Sequence, residues 1–262
     1  MDNGKIKTTP SWDKTKEQLW EEAFEGLEDP ASVKRFFLFS RKMLMRSVAA
    51  ALILLVLTLS GIFIPVRRYD SSIINKTSVY LPDSSMVVLN AGSTLSYNLI
   101  SWFFNRKVKM DGEAYFEVVP GGSFNVKSNR GEVVVKGTSF NIFDRPEGYK
   151  VHCITGKVMV KSGGEIAELT KGKLVILVGD VFNVRDFENE SEAIGWKNGV
   201  FSFNSVPLKD VIAEVERQFG IKVKVKGNND YIYTGFFTKE RSPEQVLEII
   251  GKPFGIEFSI EK

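Results

Sequence analysis

Ser47-Val-Ala-Ala-Ala-Leu-Ile-Leu-Leu-Val-Leu-Thr-Leu-Ser-Gly-Ile-Phe-Ile-Pro-Val66 carries no charged residue between Arg46 and Arg67. Its twenty residues, at a helical rise of roughly 1.5 Å, make about 30 Å, the thickness of a bilayer's hydrocarbon core. Twelve of them are Leu, Ile, Val or Phe, and no face is polar. The stretch therefore predicts one membrane-spanning helix over residues 47–66. A cleaved signal fits poorly, because the preceding segment is long and the small residues Ala49 to Ala51 lie at the wrong end for a cleavage site. Lys34, Arg35, Arg41, Lys42 and Arg46 outnumber Arg67, Arg68 and Lys76 across the stretch. That bias favours a cytoplasmic N-terminus.

The balance of the 262 residues leaves room for one or two domains with real cores after the span. A net charge of +3 gives no case for a nucleic-acid partner. Cys153 is the single cysteine and His152 the single histidine. No intrachain disulfide can form, and a site needing several His or Cys ligands is excluded. No cofactor is indicated.

Before the span, residues 1–46 read as a short helical segment. Trp12, Leu19, Trp20, Ala23, Phe24 and Leu27 recur at helical spacing over Ser11 to Glu28, and Asp29-Pro30 ends the run. This stripe carries too much apolar surface to stay wet. It needs either a partner protein or the next helix, which Ser32 caps and which continues through Phe36, Phe37 and Phe39 into the span.

After the span, residues 67–77 read as a tether, and from 78 to 187 the texture changes. Short apolar runs such as Met86 to Leu89, Ala114 to Val118, Phe140 to Phe143 and Val158 to Val160 alternate with Gly, Asn, Asp and Ser. This is an all-β domain, with a sandwich and a solenoid-like stack equally compatible. Asp83, Asp111-Gly112 and Gly137 are read as turns. Residues 186–197 read as an acidic linker ending at Trp196. The last part of 188–262 follows a β-α-β-β-α-β pattern, an α+β module. Its helix Leu208–Phe219 puts Leu208, Val211, Ile212, Val215 and Phe219 on one stripe, and its second helix opens with the capping box Ser242-Pro243-Glu244-Gln245.

Residues 81–160 resemble the periplasmic domain of the FecR-like transmembrane anti-sigma regulators, in the form common in Bacteroidetes. The resemblance rests on Leu81-Pro-Asp-Ser-Ser85, Gly112-Glu-Ala-Tyr-Phe-Glu-Val118, Phe124-Asn-Val126, Gly137-Thr-Ser-Phe-Asn141 and Gly156-Lys-Val158. Ser84 departs from the family's usual glycine, and Lys136 from its usual apolar residue. The C-terminal module resembles the short secretin/TonB N-terminal-type module. The resemblance implies a single-pass inner-membrane protein with its C-terminal part in the periplasm. It further implies a cytoplasmic segment that binds an extracytoplasmic-function (ECF) sigma factor and a periplasmic part that reads the signalling domain of a ligand-loaded TonB-dependent outer-membrane transporter. Processing by an intramembrane protease is compatible with it.

On that reading Trp12, Leu19, Trp20, Phe24 and Leu27 grip the sigma factor. Ile221, Val223, Val225, Tyr231 and Tyr233, on exposed sheet edges, offer strand pairing to the transporter. A membrane-anchored glycan-binding or structural envelope protein is the alternative, and it leaves the aromatic N-terminal helix without a purpose. Catalysis is not expected. Glu113 and Glu117, four apart on one face of a strand, read as solvent-facing glutamates, and His152 and Cys153 point to opposite faces of theirs.

Overall fold

The computed structural model describes residues 14–25, 41–60, 65–72, 75–187 and 190–261. The chain divides into two compact units, Met1–Phe63 and Ile64–Lys262.

In the first unit, helix α1 (Lys16–Phe24) opens on a capping box. Thr15 accepts from the backbone N–H of Gln18, whose side chain returns to the Thr15 backbone. This box, and not Ser11, sets the start of the helix, because it satisfies two of the orphan N–H groups at once. Helix α2 (Arg41–Ser60) follows. Among the described residues no helix is long and apolar enough to cross a membrane. Residues 61–64 of the expected span lie outside the described residues, and Val66 already belongs to a strand. The charge-free part of α2, Ser47 to Ser60, is about 21 Å long at roughly 1.5 Å per residue, short of a full crossing.

The second unit is β-rich. It begins with β1 (Val66–Asp70), β2 (Thr77–Tyr80), β3 (Met86–Leu89) and β4 (Thr94–Asn98), then a one-turn helix α3 (Leu99–Trp102). The long strand β5 (Arg106–Glu117) is followed by β6 (Phe124–Lys127), β7 (Glu132–Val135), β8 (Ser139–Arg145) and β9 (Gly148–Cys153). Strands β10 (Lys157–Ser162), β11 (Glu165–Thr170), β12 (Lys173–Val178) and β13 (Val181–Asp186) complete a 13-stranded sheet. Residues 66–70, expected in a tether, instead form β1 and pair with β4.

Strand β5 makes this sheet a sandwich. Its first half pairs with β4 on one side and β6 on the other, whereas its second half pairs with β3 and β8. The switch falls at Gly112, at φ 93°. A Cβ there would meet Ser93 Oγ at 2.5 Å. Asp111-Gly112, read from sequence as a turn, is thus a bend inside one strand. One layer runs β11-β10-β7-β6-β5-β4-β1 and the other β2-β3-β5-β8-β9-β12-β13. Their inward residues form one core, in which Phe116 stacks on Phe140 at 4.9 Å and meets Phe124 of the other layer edge-on at 6.4 Å. The sandwich alternative holds, and the solenoid does not.

Residues expected to form a linker fold into α4 (Glu190–Ile194) and a 3-10 turn, because Ala193 and Trp196 are buried. The C-terminal module then runs β14 (Val200–Pro207), α5 (Leu208–Phe219), β15 (Lys222–Lys226), β16 (Ile232–Thr238), α6 (Pro243–Gly251) and β17 (Glu257–Glu261). This is the expected β-α-β-β-α-β order, paired as two ribbons, β14–β16 and β15–β17. Leu208, Val211, Val215, Phe237, Val246 and Ile250 form its core, and that core also takes in Val88, Tyr115 and Ile154 of the sandwich. The sequence reads as a module set off by a linker. Its shared core makes it part of one body with the sandwich.

Candidate functional site

Leu19, Trp20 and Phe24 lie on α1 as expected. Trp20 and Phe24, one turn apart, stack at 4.6 Å between ring centroids, and Trp20 stays 58% exposed. No residue of α1 is buried. An isolated helix shorter than about 12 residues is marginal in water, so this nine-residue helix depends on a surface to pack against. The exposed pair Lys14–Glu22 adds little to it. Trp12 and Leu27 lie outside the described residues.

The residues expected to meet the transporter are placed differently. Ile221, Val223, Val225 and Tyr231 are half-buried and face the module's core, and Tyr233 is buried. Strict alternation makes this necessary, since β15 sends its lysines outward and its valines inward. Among the described residues β15 pairs with no strand but β17, and on its outer edge the Val223 N–H donates to Glu216 Oε1 at 2.8 Å. The apolar side chains that do face outward nearby are Ile232 and Phe236 of β16. Sequence reading missed them because β16 is apolar on both faces.

A third constellation sits where α5 docks on the sandwich. Glu113, expected to face solvent, is buried there and accepts from Asn90 Nδ2 at 2.7 Å and Asn141 Nδ2 at 2.9 Å. Gln218 of α5 donates to Asn90 Oδ1 and to Glu214 Oε1, both at 2.8 Å. Arg217 donates from Nε and Nη2 to Glu214 Oε2 at 3.0 and 2.8 Å, and from Nη1 to Glu147 of the sandwich. Buried Arg145 donates to the Ala91 carbonyl at 2.8 Å. Burial pushes the Glu113 carboxyl up, and the nearby Glu214 charge adds to this, against Arg145 and the two amides. Burial likewise raises Glu147, but the hydrogen bond and charge of Arg217 outweigh it and hold that carboxyl below its usual range. The junction is thus a polar network threaded through an apolar interface, in which Asn141 Oδ1, Arg145 Nε and Glu147 Oε2 find no hydrogen-bond partner among the described residues.

Beside the network lies a cavity of about 150 Å³, lined by His152, Trp196, Phe203, Glu147, Lys150 and Arg185 among others. Neither ring nitrogen of His152 has a hydrogen-bond partner among the described residues. Its imidazole is pushed down to about 3 by burial, with Lys150 and Arg185 adding to the shift. Cys153, on the opposite face, donates to the Thr155 and Gly156 carbonyls, and burial pushes its thiol up to about 11. An imidazole that stays neutral and a thiol that stays protonated, facing apart, make no nucleophile–base pair.

A pH dependence follows. The folded pKa of His152 lies below its ordinary value of 6.5, so the unfolded chain binds a proton that the folded chain refuses between those two values. Stability is full above pH 6.5 and falls as pH drops through the window, by about 2 kcal/mol at pH 5. Glu113 acts in the opposite sense, since its raised carboxyl favours the fold at low pH. His152→Phe isolates the histidine: the fall in stability between pH 7 and pH 5 should be about 2 kcal/mol smaller in the variant than in the wild type. Equal pH slopes in both proteins would show that His152 does not titrate with unfolding.

Comparison with known proteins gives concordant matches. The model for the FecR protein family matches residues 69–159, and the model for the FecR C-terminal domain matches residues 200–262. A 1.65 Å crystal structure described as a candidate anti-sigma factor from Parabacteroides distasonis ATCC 8503 superposes with a TM-score of 0.69 at 27% identity, covering 75% of this chain and 95% of that one. A 2.50 Å structure with the same description gives 0.68 at 27% identity, covering 76% and 96%. No curated protein matches the chain.

Proposed function

The chain belongs to the FecR protein family through both its sandwich and its C-terminal module, and from that premise we propose that it is an anti-sigma regulator spanning the inner membrane once. Its N-terminal segment holds an ECF sigma factor in the cytoplasm, and its β-rich unit receives a signal in the periplasm from a ligand-loaded TonB-dependent transporter. The observation that carries this reading is α1. It is a nine-residue helix with no buried residue and a stacked, exposed Trp20–Phe24 pair, and it needs a partner to persist. The crystal structures described as a candidate anti-sigma factor support a sigma factor as that partner. The charge-free apolar run 47–64, which ends where β1 begins, supports the span, and the basic excess before it supports the orientation.

On the receiving side, the outer edge of β15 beyond its Val223–Glu216 hydrogen bond and the outward Ile232 and Phe236 of β16 suit strand addition by an extended partner segment. The test is double. A phosphatase reporter fused after Lys262 should be active and a cytoplasmic reporter at the same place silent; the reverse pattern ends the topological reading. The sigma factor encoded nearest the gene should be retained by residues 1–46, and failure of retention removes the anti-sigma assignment.

A further inference from the structure

Ile100, Phe103 and Phe104 form the most exposed apolar cluster of the sandwich, with Phe103 87% and Phe104 82% open to solvent. Nothing about their mounting is loose. Asn98 Oδ1 accepts from the backbone N–H of Ile100 and of Ser101, both at 2.9 Å, and the Ser101 carbonyl accepts from Phe104 N at 3.1 Å and Asn105 N at 2.7 Å. Trp102 between them is buried, with its ring 5.2 Å from Tyr97 and 6.0 Å from Phe124. A rigid turn therefore holds two adjacent phenylalanines outward, where a soluble surface gains nothing from them.

Their position in the fold explains them. Leu99 donates its N–H to the Pro65 carbonyl at 3.1 Å, and Val66 pairs with Asn98. Pro65-Val66 is where the chain enters this unit from the apolar run 47–64. The turn thus stands beside the point of entry, with Val66 exposed and Arg67 next to it on β1. Exposed aromatic and aliphatic side chains flanked by a cation have the chemistry of a headgroup interface, where rings sink about 5–10 Å and basic residues meet anionic lipid.

We propose that Ile100, Phe103 and Phe104 seat the β-rich unit on the phospholipid surface from which the chain emerges. This rests on the reading that the apolar run 47–64 crosses a membrane. The seat restrains the tilt of the sandwich against the bilayer, so that a pull on the C-terminal module is resisted before it reaches the span.

The test uses residues 64–262, a compact unit containing both cores, so that failure of the span does not confound it. A hexahistidine tag ahead of Ile64 tethers the unit to phosphatidylethanolamine/phosphatidylglycerol vesicles containing a nickel-chelating lipid; His152 is buried and does not compete. An environment-sensitive dye is placed on Ser101→Cys or, as the control, on Glu165→Cys. By strand register Glu165 lies at the opposite end of the same layer from Arg106. Cys153 is buried with a raised thiol pKa and escapes labelling.

The dye at 101 should shift to the blue and be quenched by spin-labelled lipid roughly threefold more than at 165, as befits a depth of about 5–10 Å. Adding Phe103→Ser and Phe104→Ser should abolish the difference. Equal quenching at 101 and 165 overturns the proposal, as does a shift that survives the double substitution. A shift that needs no vesicles and grows with protein concentration overturns it in favour of a second copy of the chain. The single-span reading stands or falls separately, on the reporter fusion after Lys262.

Discussion

Arg217→Ala should destabilise the Ile64–Lys262 unit by about 3 kcal/mol, because it removes one member of a buried charge cluster and leaves its carboxylates with Arg145 as the remaining buried countercharge. Arg217 serves two carboxylates at once: Glu214 on its own helix, and Glu147 on the sandwich. Their side chains are largely withdrawn from water, at 8% and 12% exposure. Without the guanidinium, Glu214 faces Glu113 with no countercharge from α5, and Glu147 keeps only more distant cations. The residual exposure lets some water in, which is why the figure sits at the low end of about 3–5 kcal/mol for breaking a buried pair.

The loss falls at one place, the seam between α5 and the sandwich. Protease release of the C-terminal module should therefore accelerate along with the drop in the urea midpoint. Lys222→Ala provides the contrast, since its pair with Glu216 spans 3.6 Å with the lysine 77% exposed; it should cost under about 0.5 kcal/mol. If Arg217→Ala and Lys222→Ala unfold at the same urea concentration, the network does not hold the module in place.

This seam marks the boundary between what the sequence made legible and what it did not. Periodicity decides elements one at a time. The helix Leu208–Phe219 was readable to the residue because its apolar stripe, the preceding Pro207 and the closing Gly220 all agree. The capping box at Ser242 is readable for the same reason, whereas at α1 the apolar rhythm points to a start near Ser11 and the Thr15 capping box places it later. Asp111-Gly112 carries turn chemistry, and the property that suits a turn, a left-handed glycine, also lets β5 bend from one layer into the other.

Burial of a polar side chain has no periodic signature. Glu113 is a core residue because the amides of Asn90 and Asn141 and the charge of Arg145 converge on it from other parts of the fold. Trp196 gave no helical or strand rhythm in an acidic stretch, and so read as linker. In α1, by contrast, Leu19, Trp20 and Phe24 could be named in advance, because an exposed stripe of one helix is a local property.

That stripe supports the second large effect. Trp20→Ala should weaken binding of residues 1–46 to the sigma factor about 30- to 1000-fold. Interfaces concentrate their energy in a few buried aromatics near the patch centre, where truncation costs roughly 2–4 kcal/mol, and each 1.4 kcal/mol is about a factor of ten. Trp20 stands at that centre, between Leu19 and Phe24, and its ring is already ordered by stacking on Phe24. Pre-ordering reduces the entropy lost on docking, so Phe24→Ala should weaken binding as well, through the loss of both its own contact and the order it lends Trp20. Lys16→Ala removes an exposed charge from the first turn and should cost under about 0.5 kcal/mol. The measurement is a titration of wild type and the three variants against the sigma factor encoded nearest the gene. Were the stripe to pack only on the rest of its own segment, Trp20→Ala would raise protease sensitivity of residues 1–46 and leave sigma affinity unchanged. Equal dissociation constants for wild type and Trp20→Ala would therefore withdraw α1 as the sigma-binding element, whatever the role of the β-rich unit.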